Sequence, residues 1–380
     1  MAAGLMLMSI AACSKSSQTA DAAAETTAAG SEAAASESGS AADAKEAEAS
    51  STEAPSVAIL LNGTLGDKAF FDSAAAGGKL MEEQLGSNVK VVEMTYDETK
   101  WLPTLIDFSE DDAYDIIITG TWQMSEKLQE VASQYPDKKY ILYDSTVDYD
   151  AGDVDNVYSI EYKQNECSYL AGALAALTTK TGTIGFVGGM ENAVIDDFMV
   201  GYIQGAVDTN PDIKVLTAFV GNFNDNARAK ELTLAQINQN ADVVYQAAST
   251  AGLGVIDACL EKGIWCIGVD SDQAASFMDT DPAKADVILT SALKRVDESI
   301  FQAVEKDAKG ELTYGQRVVM GLAEQSVGLA KNDIYKKNVS EENQKKIDEL
   351  EAKIIDGSIK VDTAFGKTTD EIQAIKDSVK

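Results

Sequence analysis

The 380-residue chain contains no histidine. That absence removes Ser-His-Asp and Cys-His nucleophilic catalysis and every metal site built with imidazole. General acid–base chemistry, if the chain performs any, falls to carboxylates, lysine or tyrosine. Basic residues are also scarce: 31 Lys and Arg stand against 62 Asp and Glu, a formal net charge of −31. Nucleic acid is excluded as a partner, because phosphate binding requires a basic surface. The excess suits a solvated, soluble body. Only four cysteines occur, at positions 13, 167, 259 and 266, and no two form a CxxC pair. A zinc site therefore has no framework. Cys259 and Cys266 bracket a short helix-to-strand turn and read as small apolar core groups. The apolar opening, residues 1–12, is too short to cross a bilayer.

That opening ends Ser9-Ile10-Ala11-Ala12-Cys13. The pattern resembles a bacterial lipobox, in which an aliphatic and two small residues precede a lipidated cysteine. The basic n-region of a secretory signal is missing, as it would be in a signal truncated at its start. From residue 14 to about 54 the chain is mostly Ala, Ser, Glu, Thr and Asp, with no aromatic and no Val, Ile or Leu. Such a segment cannot bury enough apolar surface to offset its ordering entropy, so a flexible tether is expected. Residues 1–12 thus read as a lipoprotein signal and 13–54 as a lipid-anchored tether. Two acyl chains on one cysteine suffice for stable attachment.

From residue 57 short apolar runs alternate with longer amphipathic ones. Strands are expected at 57–61, 89–94, 115–119, 139–144 and 156–162, with helices at 73–85, 101–109, 125–135 and 166–177. A second series places strands at 183–187, 213–220, 242–248, 265–270 and 286–291, with helices at 195–208, 226–240 and 254–262. Repeated βα units imply parallel sheets covered on both faces. Two such series predict an α/β protein of two lobes with a cleft between them. The first covers residues 55–160, completed by part of 295–325. The second covers 161–294, completed by part of 326–380. Beyond them a strand is expected at 317–322, a polar helix at 340–356 and a last extended segment at 357–361.

The stretch Trp265-Cys266-Ile267-Gly268-Val269-Asp270 anchors the functional reading. It is a buried-strand pattern stopped by a carboxylate, and ligands of open α/β sheets sit beyond the carboxyl ends of strands. Capping of the next helix is the other office of such an aspartate. Polar or aromatic residues recur at the expected strand ends in both series: Asn62, Trp122, Asp144, Met190, Phe223 and Asp270, with Phe70 in the first loop. Each alone reads equally as core or cap; their shared position is what points to a pocket. Aromatic faces with a few carboxylates suit a flat, hydroxylated, uncharged molecule. Lys294 either adds a donor to the same hydroxyls or is an ordinary solvated lysine. The run Gly182-Thr-Ile-Gly185-Phe-Val-Gly188-Gly189 has the wrong spacing for a dinucleotide fingerprint. Gly63-Thr-Leu-Gly66-Asp67-Lys68 lacks the Gly-Lys-Ser/Thr ending of a phosphate loop. Gly188 and Gly189 serve either close ligand approach or tight turn packing.

Taken in order, several segments resemble the basic membrane protein family, the purine nucleoside receptor-like substrate-binding lipoproteins of ABC transporters. They are Gly66-Asp67-Lys68-Ala69-Phe70, Tyr135-Pro136-Asp137 leading to Tyr143-Asp144, and Glu166-Cys-Ser-Tyr-Leu-Ala-Gly172. Gly185-Phe-Val-Gly-Gly189, Ala251-Gly252-Leu-Gly254, Gly268-Val-Asp270-Ser-Asp-Gln273 and Thr290-Ser-Ala-Leu-Lys294 follow. The resemblance covers residues 57–365. It implies a two-lobed periplasmic-binding-protein-like fold of type I, each lobe a parallel sheet flanked by helices, with three crossings. It also implies a non-enzymatic monomer, without cofactor, that takes a purine nucleoside and delivers it to ABC transporter permease subunits. By the same likeness Asp270 and Lys294 grip ribose hydroxyls, Phe70 stacks on the base, and Asp144 meets a base edge with Asn62 close by. Phe223 or Met190 closes the opposite ring face, and Asp67, Trp122 and Gly252 complete the ligand set.

Two departures stand out. Where the family shows Asp-Lys-Ser-Phe-Asn, this chain has Asp67-Lys68-Ala69-Phe70-Phe71, and Trp122 stands where Phe is usual. Both make the pocket more aromatic, leaving a different base or a flavin-sized ring open. A nucleoside-processing enzyme using Asp67, Asp144 and Asp270, and a sensory lipoprotein with the same pocket, are the competing readings. The N-terminal reading yields a prediction: Cys13→Ser releases the chain from membranes without altering ligand affinity. Membrane fractionation checks it, and a variant that still sediments with membranes refutes the lipobox.

Overall fold

Strands form here where β-branched and aliphatic residues run unbroken, because strands buried on both faces need no alternation. The computed structural model describes residues 54–380. The expected signal, Cys13 and the tether as far as residue 53 lie outside the described residues. The first series runs β1 (Val57–Leu61), α1 (Phe70–Leu80), β2 (Val89–Glu93), α2 (Trp101–Glu110), β3 (Ile116–Gly120), α3 (Trp122–Gln134), β4 (Lys139–Tyr143) and β5 (Val157–Tyr162). A π-helical turn, Met81–Leu85, extends α1 until Gly86 ends it in a left-handed conformation. The strands of this series pair in parallel, in the order β5-β4-β3-β1-β2.

The chain then crosses into α4 (Gln164–Thr178), β6 (Thr183–Gly188), α5 (Ala193–Thr209), β7 (Lys214–Phe219), α6 (Asn226–Ile237), β8 (Val243–Ala247), α7 (Gly252–Lys262) and β9 (Trp265–Asp270). Two short helices, α8 (Gln273–Phe277) and α9 (Pro282–Val287), precede β10 (Ile288–Lys294). The chain returns to the first lobe for α10 (Val296–Ala308) and β11 (Gln316–Met320), which pairs in parallel with β5. It crosses a third time into β12 (Val327–Leu329), antiparallel to β10 and, among the described residues, the one such strand in the second sheet. The second sheet reads β12-β10-β9-β8-β6-β7. Helices α11 (Asp333–Asn338), α12 (Glu341–Ile355) and α13 (Thr369–Asp377) finish the chain.

The first sheet lies between two apolar layers. One holds Ile59, Ile118 and Ile141 with Phe71 and Ala74 of α1 and Ile300 of α10. The other packs Leu60, Ile117 and Leu142 against Trp101, Leu105, Leu128 and Val131 of α2 and α3. In the second lobe α4 and α5 approach so closely that side chains are excluded between them. A Cβ on Gly172 would stand 2.0 Å from the Tyr202 carbonyl oxygen, and one on Gly205 would stand 1.9 Å from that of Tyr169.

Several boundaries differ from expectation, and three of the differences have identifiable reasons. The last strand of the second series begins at Ile288, not 286, because Asp281 caps α9 with Pro282 at its start and the helix consumes 286 and 287. Helix α5 begins at Ala193, since the Asn192 side chain accepts from the amides of Val194 and Ile195. The segment 357–361 is not a strand. The carbonyls of Val361 and Asp362 accept from Asn165, and Gln204 binds the Lys360 carbonyl and the Asp362 amide. The close α4–α5 contact predicts that Gly205→Ala loses about 1–3 kcal/mol of stability through overpacking. Calorimetric melting reads it; a variant as stable as the parent means the helices separate without cost.

Candidate functional site

Parallel strands deliver their last residues to one end of each sheet, and the two sets of ends face a common cavity. It contains about 580 Å³ of atom-free space, counting its open mouth. Asn62 follows β1, Thr121 and Trp122 follow β3, and Asp144 follows β4. Asp270 closes β9, Lys294 closes β10, and Phe70 opens α1.

Lys294 is 2% exposed, and its ammonium donates to Asp144 Oδ1 at 2.8 Å and lies 3.7 Å from Asp270 Oδ1. Three rings surround it: Phe70, Phe198 and Tyr162, at 4.8, 5.0 and 5.8 Å from their centroids. An ammonium this deep is tolerable only with carboxylates beside it. Burial works to lower the Lys294 pKa, but Asp144 and Asp270 outweigh burial and hold it above the usual lysine value. Burial raises Asp144 against the pull of Lys294. Burial pushes Asp270 up to about 7, with Lys294 opposing and Asp144 assisting.

Asp144 and Asp270 both adopt φ 62°, the left-handed region. Aspartate tolerates it better than most residues, and backbone strain of this kind gathers at ligand sites. Asp270 Oδ1 and Asn62 Oδ1 are buried acceptors with no hydrogen bond from the described residues. The Asn62 amide nitrogen is already committed, 2.7 Å from Thr121 Oγ1 and 3.4 Å from Gln123 Oε1. Both free atoms ask for donors on a ligand. Aromatic surface completes the walls. Phe70 tilts against Tyr143 at 5.4 Å and meets Phe71 edge-on at 5.2 Å. Phe223 rests where Gly189 has no Cβ; one there would fall 2.3 Å from its ring.

Of the residues singled out from sequence, Asn62, Phe70, Trp122, Asp144, Phe223, Asp270 and Lys294 line this cavity. Asp67, Met190 and Gly252 are not among its lining residues. Asp67 is fully buried and accepts from the amides of Ala69, Phe71 and Asp72, so its lone pairs serve the start of α1. The Met190 carbonyl accepts from Asn192. Gly252 lets Gln246 pass, whose Oε1 would lie 2.0 Å from an added Cβ. Sequence reasoning missed Tyr96, Gln123, Asn192, Val194, Ile195 and Phe198, which also line the cavity. The missed signal was the Asn192 cap, which carries the first turn of α5 to the cavity.

Asp270 sets a pH dependence whose sign is determined. Its folded pKa exceeds the ordinary carboxylate value of ~3.9, so the folded state binds more protons between pH ~4 and about 7. Ligand-free stability is therefore fullest below that window and falls as pH rises through it. Asp270→Asn should be more stable than the parent at pH 8, and the difference should shrink steadily toward pH ~4. Melting temperatures across pH 5–8 that fall equally in both proteins exclude this titration.

Comparison with known proteins adds four findings. Residues 54–364 match the family model described as ABC transporter substrate-binding protein PnrA-like. The chain is 31% identical over 312 residues to the CD4+ T-cell-stimulating antigen of Listeria innocua, covering 79% of this chain and 85% of that one. It is 30% identical over 263 residues to the ABC transporter nucleoside-binding protein BmpA of Lactococcus lactis, covering 67% and 72%. Among solved structures, an ABC transporter solute-binding protein from Aeropyrum pernix K1 matches 86% of this chain and 99% of its own, with 26% identity and a TM-score of 0.74.

Proposed function

Since the chain belongs to the PnrA-like family of ABC transporter substrate-binding proteins, we propose that its cavity captures a purine nucleoside and delivers it to a membrane permease. Members of this family bind substrates and do not turn them over. The observation that carries the nucleoside reading is the cluster of Asp270, Lys294 and Asp144 beneath aromatic rings. Asp270 Oδ1 is a buried acceptor with no hydrogen-bond donor among the described residues, which suits a ribose hydroxyl. The Lys294 ammonium, 3.7 Å away, is placed to donate to the same pair of hydroxyls. Phe70 and Phe223 supply faces for the base, and Asn62 Oδ1 supplies an acceptor for one of its N–H groups.

The nucleoside-binding relative from Lactococcus lactis supports the ligand class. In this reading the lobes, residues 55–160 with part of 295–325 and 161–294 with part of 326–380, close about the three crossings. Ligand contacts from both lobes favour the closed state. The protein then works as a monomer on the extracytoplasmic face, held to the membrane through lipid on Cys13. Asp67, Met190 and Gly252 act through the surrounding structure.

Titration calorimetry with adenosine, guanosine, inosine and riboflavin tests the reading. A purine nucleoside should bind without being consumed, and no heat from any of the three sinks the proposal. Phe70→Ala should weaken that binding by ~1–3 kcal/mol, the worth of one base–aromatic stack. Asp270→Ala should cost roughly 1.5–3 kcal/mol of that binding, the worth of a hydrogen bond to a charged group, while Lys294 keeps its pairing with Asp144.

A further inference from the structure

Asp67 is the residue whose use the cavity does not explain. It is fully buried and has both carboxylate oxygens engaged. Oδ1 accepts from the amides of Ala69 at 3.0 Å and Asp72 at 3.1 Å. Oδ2 accepts from the Phe71 amide at 3.0 Å and from the Ser249 hydroxyl at 2.9 Å. The first three bonds are local. Ala69, at the α1 N-cap, makes no side-chain cap bond, so Asp67 satisfies amides that helix starts leave open. The fourth bond is different, because Ser249 lies just beyond β8 in the other lobe.

Ser249 is turned toward Asp67 by a left-handed backbone, φ 47°. Its neighbours reach the same place. Thr250 Oγ1 pairs with the Tyr96 hydroxyl at 3.0 Å, and the Ser271 hydroxyl donates to the Ala69 carbonyl at 3.1 Å. These bonds run from the second lobe to the β1–α1 turn and the segment after β2, and Ser249 and Tyr96 stand at the cavity wall. The amides bound by Asp67 flank Phe70, whose ring lines the cavity. One carboxylate therefore fixes the position of a cavity ring and receives the opposite lobe.

We propose that Asp67 and Ser249 form a closure latch, with Asp67 a positioning residue that couples the placement of Phe70 to the meeting of the lobes. The bond exists only when the lobes are together, so it stabilises the closed state alone and shifts the opening equilibrium by its full differential free energy. A hydrogen bond to a buried carboxylate is worth about tenfold or more in such an equilibrium. Its effect falls on ligand release, because the bond breaks on opening. The affinity effect rests on the cavity being the ligand cleft; the latch itself does not.

Two measurements on the full chain separate these. In ligand-free protein, hydrogen exchange read by mass spectrometry should speed up in Ser249→Ala at residues 68–72 and remain unchanged along α12, with the melting temperature preserved. Unchanged exchange at residues 68–72 overturns the latch whatever the ligand. In stopped flow, the purine nucleoside that binds in the calorimetric panel should leave Ser249→Ala about tenfold faster, with little change in association. Adding Asp67→Asn to Ser249→Ala should do little more than the worse single change. Strictly additive effects, or an unaltered release rate, overturn the proposal. Should Asp67→Asn fail to fold, Ser249→Ala decides alone. If no nucleoside binds, the ligand reading fails while the exchange result still judges the latch.

Discussion

A lysine ammonium with almost no access to water constrains everything around it. Lys294 closes a strand of the second sheet, and its 2.8 Å partner Asp144 follows a strand of the first. The ion pair therefore spans the two lobes. Separating them would leave a charged amine facing Asp270 alone, in a setting lined by Phe70, Phe198 and Tyr162. Two carboxylates around one ammonium leave an excess negative charge, and burial makes that excess costly. Burial, with Asp144 assisting and Lys294 opposing, pushes the Asp270 carboxyl up to about 7, which marks that cost. A ligand bringing hydroxyl donors to Asp270 Oδ1 would relieve it.

The sheet orders show how two carboxylates came to the same place. Read from the late strand inward, the first sheet is β11-β5-β4-β3-β1-β2 and the second is β12-β10-β9-β8-β6-β7. Strands β4 and β9 occupy the same third position, and Asp144 and Asp270 terminate them with the same backbone angle, φ 62°. The lobes thus present matched carboxylates toward each other, and the symmetry breaks at Lys294, because Lys163 at the end of β5 is half-exposed and pairs with Glu166 instead. One cation between two equivalent acids is the outcome. The departure from the family's loop also has a physical place. Phe71, where the family has Asn, meets Phe70 and Tyr96 edge-on, and Gly63 leaves room for its ring.

Much of the fold was legible because strand and helix periodicity are local properties. The strand 265–270 stands in the structure with the bounds read from sequence, since Gly263 and Asp270 punctuate it on both sides. The segment 357–361 was misread because its apolar residues do not tell whether backbone amides will find a strand or, as here, Gln204 and Asn165. At the cavity, strand-end position brought Asn62, Trp122, Asp144, Phe223 and Asp270 together but not Met190, and Phe70 and Lys294 join them. Asp67, taken from the family likeness, is not at the cavity, since a carboxylate in a loop can serve helix amides as readily as a ligand. Strand-end position also missed Phe198, whose ring reaches Lys294 from a helix.

The amino-acid sequence by itself determined the α/β class, the doubled βα series and the exclusion of histidine chemistry, all of which follow from residue identity and spacing along one chain. It also placed Asp270 at a strand end. Only the tertiary structure decided that Lys294 is a buried cation shared by Asp144 and Asp270, and no longer a candidate for solvent. Those three residues are separated by up to 150 positions, and their chemistry depends on distance and burial. Neither is a property of any segment. Both arise when two sheets bring their carboxyl ends face to face and exclude water from the charges left there.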